Sequence, residues 1–207
     1  MSQSTITTIG PADHGRRISL AEFEHAEAEE GRCYELSRGT ITVVDVPNPG
    51  HLSQIVSLRR QVHGYDLANP GRIHTIASGG ECKLVIEGFE SERHPDLAIY
   101  KTMPPEGVAA EDIWSLWIPE IVAEVVSASS RHRDYNEKPE EYFRFGVREY
   151  WIVDAIEGHM KVLRRSRGRW AERTIKPPQV YETPLLPGFE LSIEVVFKAA
   201  ETGRKRK

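Results

Sequence analysis

The chain has 207 residues, of which 39% are hydrophobic and 28% are charged, as is typical of a globular domain that buries a core of its own. Its formal net charge of −4 argues against a protein that coats nucleic acid through many phosphate contacts, and it has no run of about 18 apolar residues that would predict a transmembrane helix. No apolar segment of signal-peptide length lies near Met1, so we expect a cytoplasmic protein with no membrane partner.

The N-terminal third predicts a helix, a hairpin and a second helix. Residues 1–17 are expected to form a flexible arm. Ser19 and Glu22 have the spacing of a capping box, and the helix that they start is predicted to reach Gly31. Two strand-like runs, CYEL and TITVVDV, flank a turn at residues 37–39, and the apolar residues of HLSQIVSLRRQVHGY then follow helical spacing.

The rest of the chain is rich in strands. The strand-like runs are RIHTIA, CKLVIE, PDLAIY, IPEIVAEVV, REYWIVDA, KVLRR and RWAERTI, and PLLPGFELSIEVVF is expected to close the core. One crossover helix interrupts them; it is predicted to begin at Pro139, with Lys138 at its cap, and to end at Gly146. These elements predict an α+β (α/β) fold with a mixed β-sheet flanked by helices, as a single domain over residues 18–198. Residues 199–207 are expected to form a basic, disordered tail.

Two acidic residues lie in strand-like runs that a proline-containing loop separates. Asp96 begins one run and Glu124 lies inside another. If the loop returns the chain so that these strands pair, about 4.8 Å apart, both carboxylates can hold one cation. Mg²⁺, or Mn²⁺ in its place, takes such oxygen ligands together with waters and phosphate oxygens. The backbone carbonyl of Val125 is a further candidate ligand, and Glu35 in the first hairpin is a candidate third acid.

Phosphoryl-transfer chemistry also requires a positive group near the developing charge. The residue two positions after Glu124 is Val126, which is apolar, so the cation must come from elsewhere. Lys138 is the best candidate. If residues 135–146 are helical, Tyr135, Lys138, Tyr142 and Phe145 form one stripe; a helix that begins at Pro139 weakens this argument. In either case the short preceding loop keeps Lys138 near the end of the Glu124 strand.

Several polar residues near this predicted site are candidate contacts for the phosphates of DNA. They are Ser127, Arg131, His132, Arg133 and His51. Arginines and hydroxyls are frequent phosphate contacts, and a helix N-terminus such as that at His51 can receive a phosphate. An ordinary solvated loop and a surface cap are the alternative interpretations.

The segments PDLAIY, IVAEVVSASSRHRDYNEK and EYFRFGVREYWIVD together resemble the Uma2 family of restriction endonucleases, within the PD-(D/E)XK nuclease superfamily. The resemblance covers roughly residues 19–197. It implies a restriction-endonuclease-like core with a Mg²⁺ site at Asp96 and Glu124. It also implies that Lys138 takes the role of the lysine that normally lies where this chain has Val126.

Three functional hypotheses follow. The favoured one is a metal-dependent endonuclease that hydrolyses DNA phosphodiester bonds through Asp96, Glu124 and Lys138. The alternative is a catalytically inactive nucleic-acid-binding or regulatory module on the same fold, which Val126 favours. The third is an interaction protein acting mainly through dimerisation, with the tryptophan-bearing surface as its interface. Trp114, Trp117 and Trp151 are expected to lie in the core or in that interface. A homodimer is expected.

Overall fold

A six-stranded mixed sheet forms the centre of the computed structural model, which describes residues 7–204 and, for side chains, residues up to 201. The strand order is β12-β11-β10-β9-β8-β5, where the strands are β5 (Thr75–Ala77), β8 (Leu97–Tyr100), β9 (Ile121–Val125), β10 (Glu149–Asp154), β11 (His159–Ser166) and β12 (Arg169–Ile175). Strands β9 and β10 run parallel and every other pair is antiparallel. The carboxyl ends of β9 and β10 therefore lie at the same end of the sheet.

A second sheet of four strands carries the first hairpin. Its order is β4-β3-β7-β6, where the strands are β3 (Cys33–Ser37), β4 (Thr40–Val44), β6 (Leu84–Ile86) and β7 (Ser91–Arg93). The predicted hairpin is thus correct. It is joined to later strands, so the helix-hairpin-helix part is not a separate unit. Two small sheets complete the strands: β1 (Thr8–Ile9) with β2 (Glu27–Ala28), and β13 (Val180–Glu182) with β14 (Glu190–Ser192).

Helices cover both faces of the central sheet. The helices are α1 (Leu20–Glu24), α2 (Pro49–Ala68), α3 (Ile113–Leu116), α4 (Lys138–Phe145) and α5 (Ile193–Arg204). Helices α2 and α5 pack on one face, where Leu58 and Val196 join the core of Val125 and Trp151. Helix α4 packs on the other face, where Tyr142 and Phe145 contact the core of Val122, Val126 and Tyr150. All five residues of β9 are buried, because both faces of this strand are covered.

Two predictions at the N-terminus are wrong over the described residues. The expected arm contains β1, which pairs with β2 and buries Ile9 to 2% exposure, and Arg17 forms a bridge with Thr40. The first helix ends at Glu24 instead of Gly31, because the segment after it pairs with β1. Tertiary pairing outweighs the helical propensity of the AEAEE run. Residues 1–6 of the predicted arm lie outside the described part of the chain.

The predicted tail is also partly wrong. Helix α5 extends through residues 199–204, so these residues are helical, and residues 205–207 lie outside the described chain. Helix α5 packs along α2, which helps to keep it helical; Ser57 of α2 donates a hydrogen bond to the carbonyl of Val195. The sequence signal for this helix is the apolar face of IEVVFKAA.

The crossover helix starts before Pro139. A π-helical turn covers Arg133–Glu137 and leads directly into α4, with the Lys138 N–H donating to the carbonyl of Arg133, five residues back. Pro139 has no N–H with which to continue the α-helical pattern, and a π turn in front of it accommodates that loss. Helix α4 ends as predicted at Gly146, whose φ of 113° suits glycine.

Among residues 7–204, no helix combines the length and hydrophobicity that crossing a bilayer requires.

Candidate active site

The two predicted acids meet at one end of the central sheet. Leu97 of β8 pairs with Ala123 of β9, so Asp96 lies opposite Glu124 when this register is extended by one residue. The Asp96 N–H is 3.5 Å from Oε2 of Glu124, and Oδ2 of Asp96 accepts a 2.7 Å hydrogen bond from the Val125 N–H. Both carboxylates line a cavity of about 770 Å³. The strand patterns of the sequence therefore place the acids correctly relative to each other.

Lys138 reaches Glu124 from helix α4. Its Nζ is 2.9 Å from Oε1 of Glu124 and 2.8 Å from Oδ1 of Asp134. The hydroxyl of Tyr142 donates to the same Oε1 of Glu124 at 2.6 Å. Oε1 is thus occupied by two donors, while Oε2 is the oxygen on the side of Asp96. The two donors on Oε1 hold the Glu124 carboxylate in one orientation, and Oε2 is left for a ligand in the cavity.

The charges of this cluster are strongly coupled. Burial raises the pKa of Glu124 to about 8; Lys138 opposes the rise, and the nearby charges of Asp96 and Asp134 add to it. Burial works against the charge of Lys138, but Asp134 and Glu124 outweigh burial and raise its pKa above the ordinary value. Lys138 therefore stays protonated, whereas burial and the neighbouring acids oppose the ionisation of Glu124. A divalent cation in the cavity would favour the ionised carboxylate.

Val126 offers no amine where the family resemblance implies a lysine, and its surroundings show how Lys138 comes to contact Glu124 from another element. Glu124 and Val126 lie on the same face of β9, towards α4, and Val126 is buried to 4% exposure beside Tyr142. Lys138 enters from the helix that covers this face. The ammonium thereby reaches the carboxylate that a lysine two residues along the strand would reach.

The residues that line this end of the cavity fit a Mg²⁺ site in which the protein supplies two carboxylates. Among the described residues, no group of three or more His, Cys, Asp or Glu side chains could hold a metal. Mg²⁺ is commonly held by only one or two carboxylates, with waters and substrate phosphates completing its shell. Asp96 and Glu124 supply two carboxylates. The carbonyl of Val125 lies on the same side of β9 as its N–H, which bonds Asp96, so this carbonyl is a further candidate.

Glu35, the candidate third acid, lines the same cavity but both its oxygens are already engaged. Oε1 accepts from the His94 N–H at 3.0 Å, and Oε2 is 3.3 Å from Nη1 of Arg93. Burial would raise the pKa of Glu35, but Lys138 and Arg93 outweigh burial and lower it to about 2. These contacts favour a structural carboxylate that holds β3 against β7.

The predicted phosphate contacts divide into two groups. Ser127, Arg133 and His51 line the cavity, and Nε2 of His51 is 3.6 Å from Oδ2 of Asp96. Arg133 Nε is buried without a hydrogen-bond partner among the described residues. Arg131 and His132 are not on the cavity wall.

The reason is visible in the partners of these two side chains. Arg131 pairs with Asp154 at 3.0 Å and with Glu157 at 3.1 Å, so its charge is already balanced. The ring of His132 points to solvent, 3.9 Å from Glu137.

The sequence matches the model of the Uma2 family, described as "Putative restriction endonuclease", over residues 20–194. The chain belongs to this family. Its structure is similar to the crystal structure of a "putative nuclease belonging to DUF820" from Anabaena variabilis, with a TM-score of 0.69 and 18% identity over 88% of this chain and 99% of that one. An identity this low shows a shared fold. No curated protein matches the chain. The Uma2 resemblance and the restriction-endonuclease-like fold class are confirmed.

Two residues of this Uma2 site are not among those predicted from the sequence. Asp134, followed by Glu137, has the pattern of a helix start, yet it binds Lys138 and accepts from the Ser130 hydroxyl at 2.6 Å. Tyr142 belongs to the predicted helical stripe, which gives it no role. The spacing of four residues from Asp134 to Lys138, and of four more to Tyr142, is the available signal.

Proposed function

We propose that this Uma2 family member is a metal-dependent endonuclease that hydrolyses phosphodiester bonds of DNA. Family membership supports a nuclease. The observation that carries the finer proposal is the meeting of Asp96 and Glu124 at one cavity, with the Lys138 ammonium 2.9 Å from Glu124. Two carboxylates for a cation and an amine beside them are the groups that phosphodiester hydrolysis requires.

The chain's own residues would divide the work. Asp96 and the free side of Glu124 would hold Mg²⁺ or Mn²⁺, with the Val125 carbonyl as a further ligand. The bound ion would polarise the phosphate and lower the pKa of a water molecule. Lys138 places a positive charge beside the acids, where it would orient the attacking water or neutralise the leaving phosphate. Arg133, on the cavity wall, has donors for a phosphate oxygen.

Removal of the metal provides the first test. Wild-type protein is expected to nick supercoiled plasmid DNA in millimolar Mg²⁺ or Mn²⁺, and excess EDTA is expected to abolish nicking. Restoring the metal after EDTA should restore nicking, which separates chelation from loss of protein. Nicking that continues unchanged in EDTA would contradict the metal dependence.

Tyr142→Phe tests how Glu124 is oriented. Loss of the hydroxyl removes one of the two donors that hold Oε1 and orients Glu124 less firmly, so the affinity for Mn²⁺, measured by calorimetry or electron paramagnetic resonance, is expected to fall about tenfold. Tyr181→Phe is the matched control, because its hydroxyl donates to the buried Glu149 at 2.8 Å, outside the cavity. Equal Mn²⁺ affinities for the two variants would contradict the role of Tyr142.

The inactive-module alternative depends on Val126. The position of Lys138 favours the nuclease proposal instead, because an ammonium contacts Glu124 from the neighbouring helix. Salt-dependent DNA binding without any metal-stimulated nicking would nevertheless select the alternative over the proposal.

The homodimer is a further part of the proposal. Leu116 and Ile118 are exposed at 54% and 37% beside Trp114 and Trp117, which suits an interface on this surface. Light scattering on the wild type is expected to give the mass of two chains. Leu116→Glu should shift the mass towards that of one chain, and a monomeric wild type would contradict the dimer.

A further inference from the structure

One end of the central sheet carries a cluster of arginines that the proposed chemistry does not use. We name this cluster the arginine end; its members are Arg144, Arg148, Arg165, Arg167 and Arg169. Arg144 lies in the last turn of α4, Arg148 directly precedes β10, and the other three surround the β11–β12 turn. The residues are contiguous in space, because the Arg165 N–H donates to the Arg148 carbonyl at 2.9 Å and Arg169 follows the turn opposite Ser166.

These charges have few counter-charges. Arg144, Arg148, Arg167 and Arg169 are exposed, and within residues 7–204 none of them forms an ion pair. Two of the nearby carboxylates, Glu149 and Glu140, pair with other arginines, and a third, Glu120, accepts from a backbone N–H.

Those partners are specific. Glu149 pairs with Arg164 at 2.7 Å, Glu120 accepts from the Lys101 N–H at 2.7 Å, and Glu140 pairs with Arg38 at 2.9 Å. On a chain whose formal net charge is −4, four exposed arginines without ion pairs within the described chain make the arginine end a local concentration of positive charge.

Arginine at several positions of the arginine end is unfavourable for local stability. Arg148 and Arg165 lie directly opposite each other across β10 and β11, an arrangement of like charges that destabilises a sheet. Arg167 adopts a φ of 48° ahead of Gly168 at a φ of 76°, in a turn where asparagine or glycine would fit better. Arg165 is held with its guanidinium 3.9 Å over the ring of Phe143 and donates to the Phe143 carbonyl. Arg165 gains stability from these contacts, whereas Arg148 and Arg167 break local rules without a side-chain contact to another described residue that offsets the cost, and such residues point to a function.

The arginine end lies away from the candidate active site. Glu124 is near the carboxyl end of β9, whereas Arg148 precedes the amino end of the parallel strand β10. The six residues of β10 separate the two ends by roughly 20 Å at about 3.3 Å per residue. Along one strand of B-DNA, that distance corresponds to about six phosphates at about 3.4 Å each. A polynucleotide is a polyanion long enough to reach from the cavity to the arginines.

We infer that the arginine end is a second contact surface for the phosphate backbone of the nucleic acid, which anchors the substrate while the cavity holds the scissile bond. This inference rests on the proposed function. Exposed guanidinium groups bind phosphate oxygens with paired donors, independently of the base sequence. The arginine end should therefore contribute affinity and its salt dependence, and should leave the chemical step unchanged.

The test compares two triple variants with the same change in charge. Arg148→Gln, Arg167→Gln and Arg169→Gln together neutralise the arginine end. Arg17→Gln, Arg60→Gln and Arg72→Gln neutralise three exposed arginines elsewhere that also lack ion pairs within the described chain. Binding of a fluorescent duplex of about 30 base pairs is measured by anisotropy in EDTA, between about 50 and 200 mM KCl.

The first variant is expected to raise Kd at least about tenfold at about 100 mM KCl. The slope of log K against log salt should become shallower by about 0.9 for each phosphate that the variant no longer neutralises. The second variant should stay within about twofold of wild type. In Mg²⁺, the first variant should raise KM and leave kcat unchanged, because the cavity is untouched.

Each other outcome is decisive. If wild type binds the duplex and the two variants bind equally, the inference is overturned and the proposed function stands. A fall in kcat with an unchanged KM would also overturn the inference, because it would assign the effect to the chemical step. If wild type binds no nucleic acid, both the inference and the proposed function fail.

Discussion

Glu124→Gln is expected to reduce Mg²⁺-dependent DNA cleavage by about a thousandfold. The amide keeps the size of the side chain and can still accept the hydrogen bond from Tyr142, so the change is confined to the charge that would hold the cation. The measurement is the initial rate of plasmid nicking at saturating Mg²⁺, together with direct Mn²⁺ binding, which should also weaken.

The same variant should fold at least as well as wild type. Burial raises the pKa of Glu124 to about 8, so the folded protein disfavours the charged form that the unfolded chain carries above its ordinary value of 4.5. The folded state therefore binds the extra proton between these two values, and wild-type stability falls as the pH rises through that window. A neutral glutamine avoids this loss, so its thermal midpoint at neutral pH should equal or exceed that of wild type.

Asp45→Asn is the control for Glu124→Gln. Asp45 lines the same cavity, but it accepts a hydrogen bond from the Ser129 hydroxyl at 3.3 Å, and it does not adjoin the two acids. Its cleavage rate should stay within a few-fold of wild type. Undiminished cleavage by Glu124→Gln, or an equal loss in both variants, would contradict the assignment of Glu124.

The pairing of the two acids could be predicted because it depends on strand patterns alone. Asp96 and Glu124 each sit in an apolar run typical of a buried strand, and two such strands joined by a loop pair in most folds. Lys138 could be found because it interrupts an aromatic stripe. The route by which the chain brings Lys138 to Glu124 could not be predicted. It depends on the π turn before Pro139, where the helix continues although proline has no N–H to donate, and no local sequence pattern indicates this turn.

The wrong predictions share another cause. The arm and the tail are wrong at residues 8–9 and 199–204, since short or polar terminal segments carry weak signals and their pairing and packing partners lie elsewhere in the chain. Arg131 is a different case, because its role as a phosphate contact stays a prediction, made from its place in the loop. Its partners Asp154 and Glu157 lie 23 and 26 residues further along and decide its direction. Contacts of this range become visible only in the fold.

Arg93 has partners that are even more distant in the sequence, and its loss should have the largest effect on stability. Its side chain is fully buried and contacts three carboxylates: Glu141 at 2.8 Å, Glu35 at 3.3 Å and Glu137 at 3.3 Å. Arg93→Met keeps much of the volume and removes the charge, which leaves buried carboxylates without their main partner. The free energy of unfolding, measured by urea denaturation, is expected to fall by about 3–5 kcal/mol.

Arg59→Met provides the comparison, because Arg59 forms a partly exposed pair with Glu81 at 3.1 Å, and its loss should cost less than about 1 kcal/mol. Acidification neutralises unpaired carboxylates, so the loss of unfolding free energy in Arg93→Met should become smaller as the pH falls towards about 4.

Glu137 and Glu141 flank Lys138 on the same helical segment, and a loosened segment would also move the ammonium away from Glu124. Cleavage by Arg93→Met should therefore fall even where the protein is fully folded. An Arg93→Met protein as stable and as active as Arg59→Met would show that the buried network neither stabilises the fold nor positions Lys138.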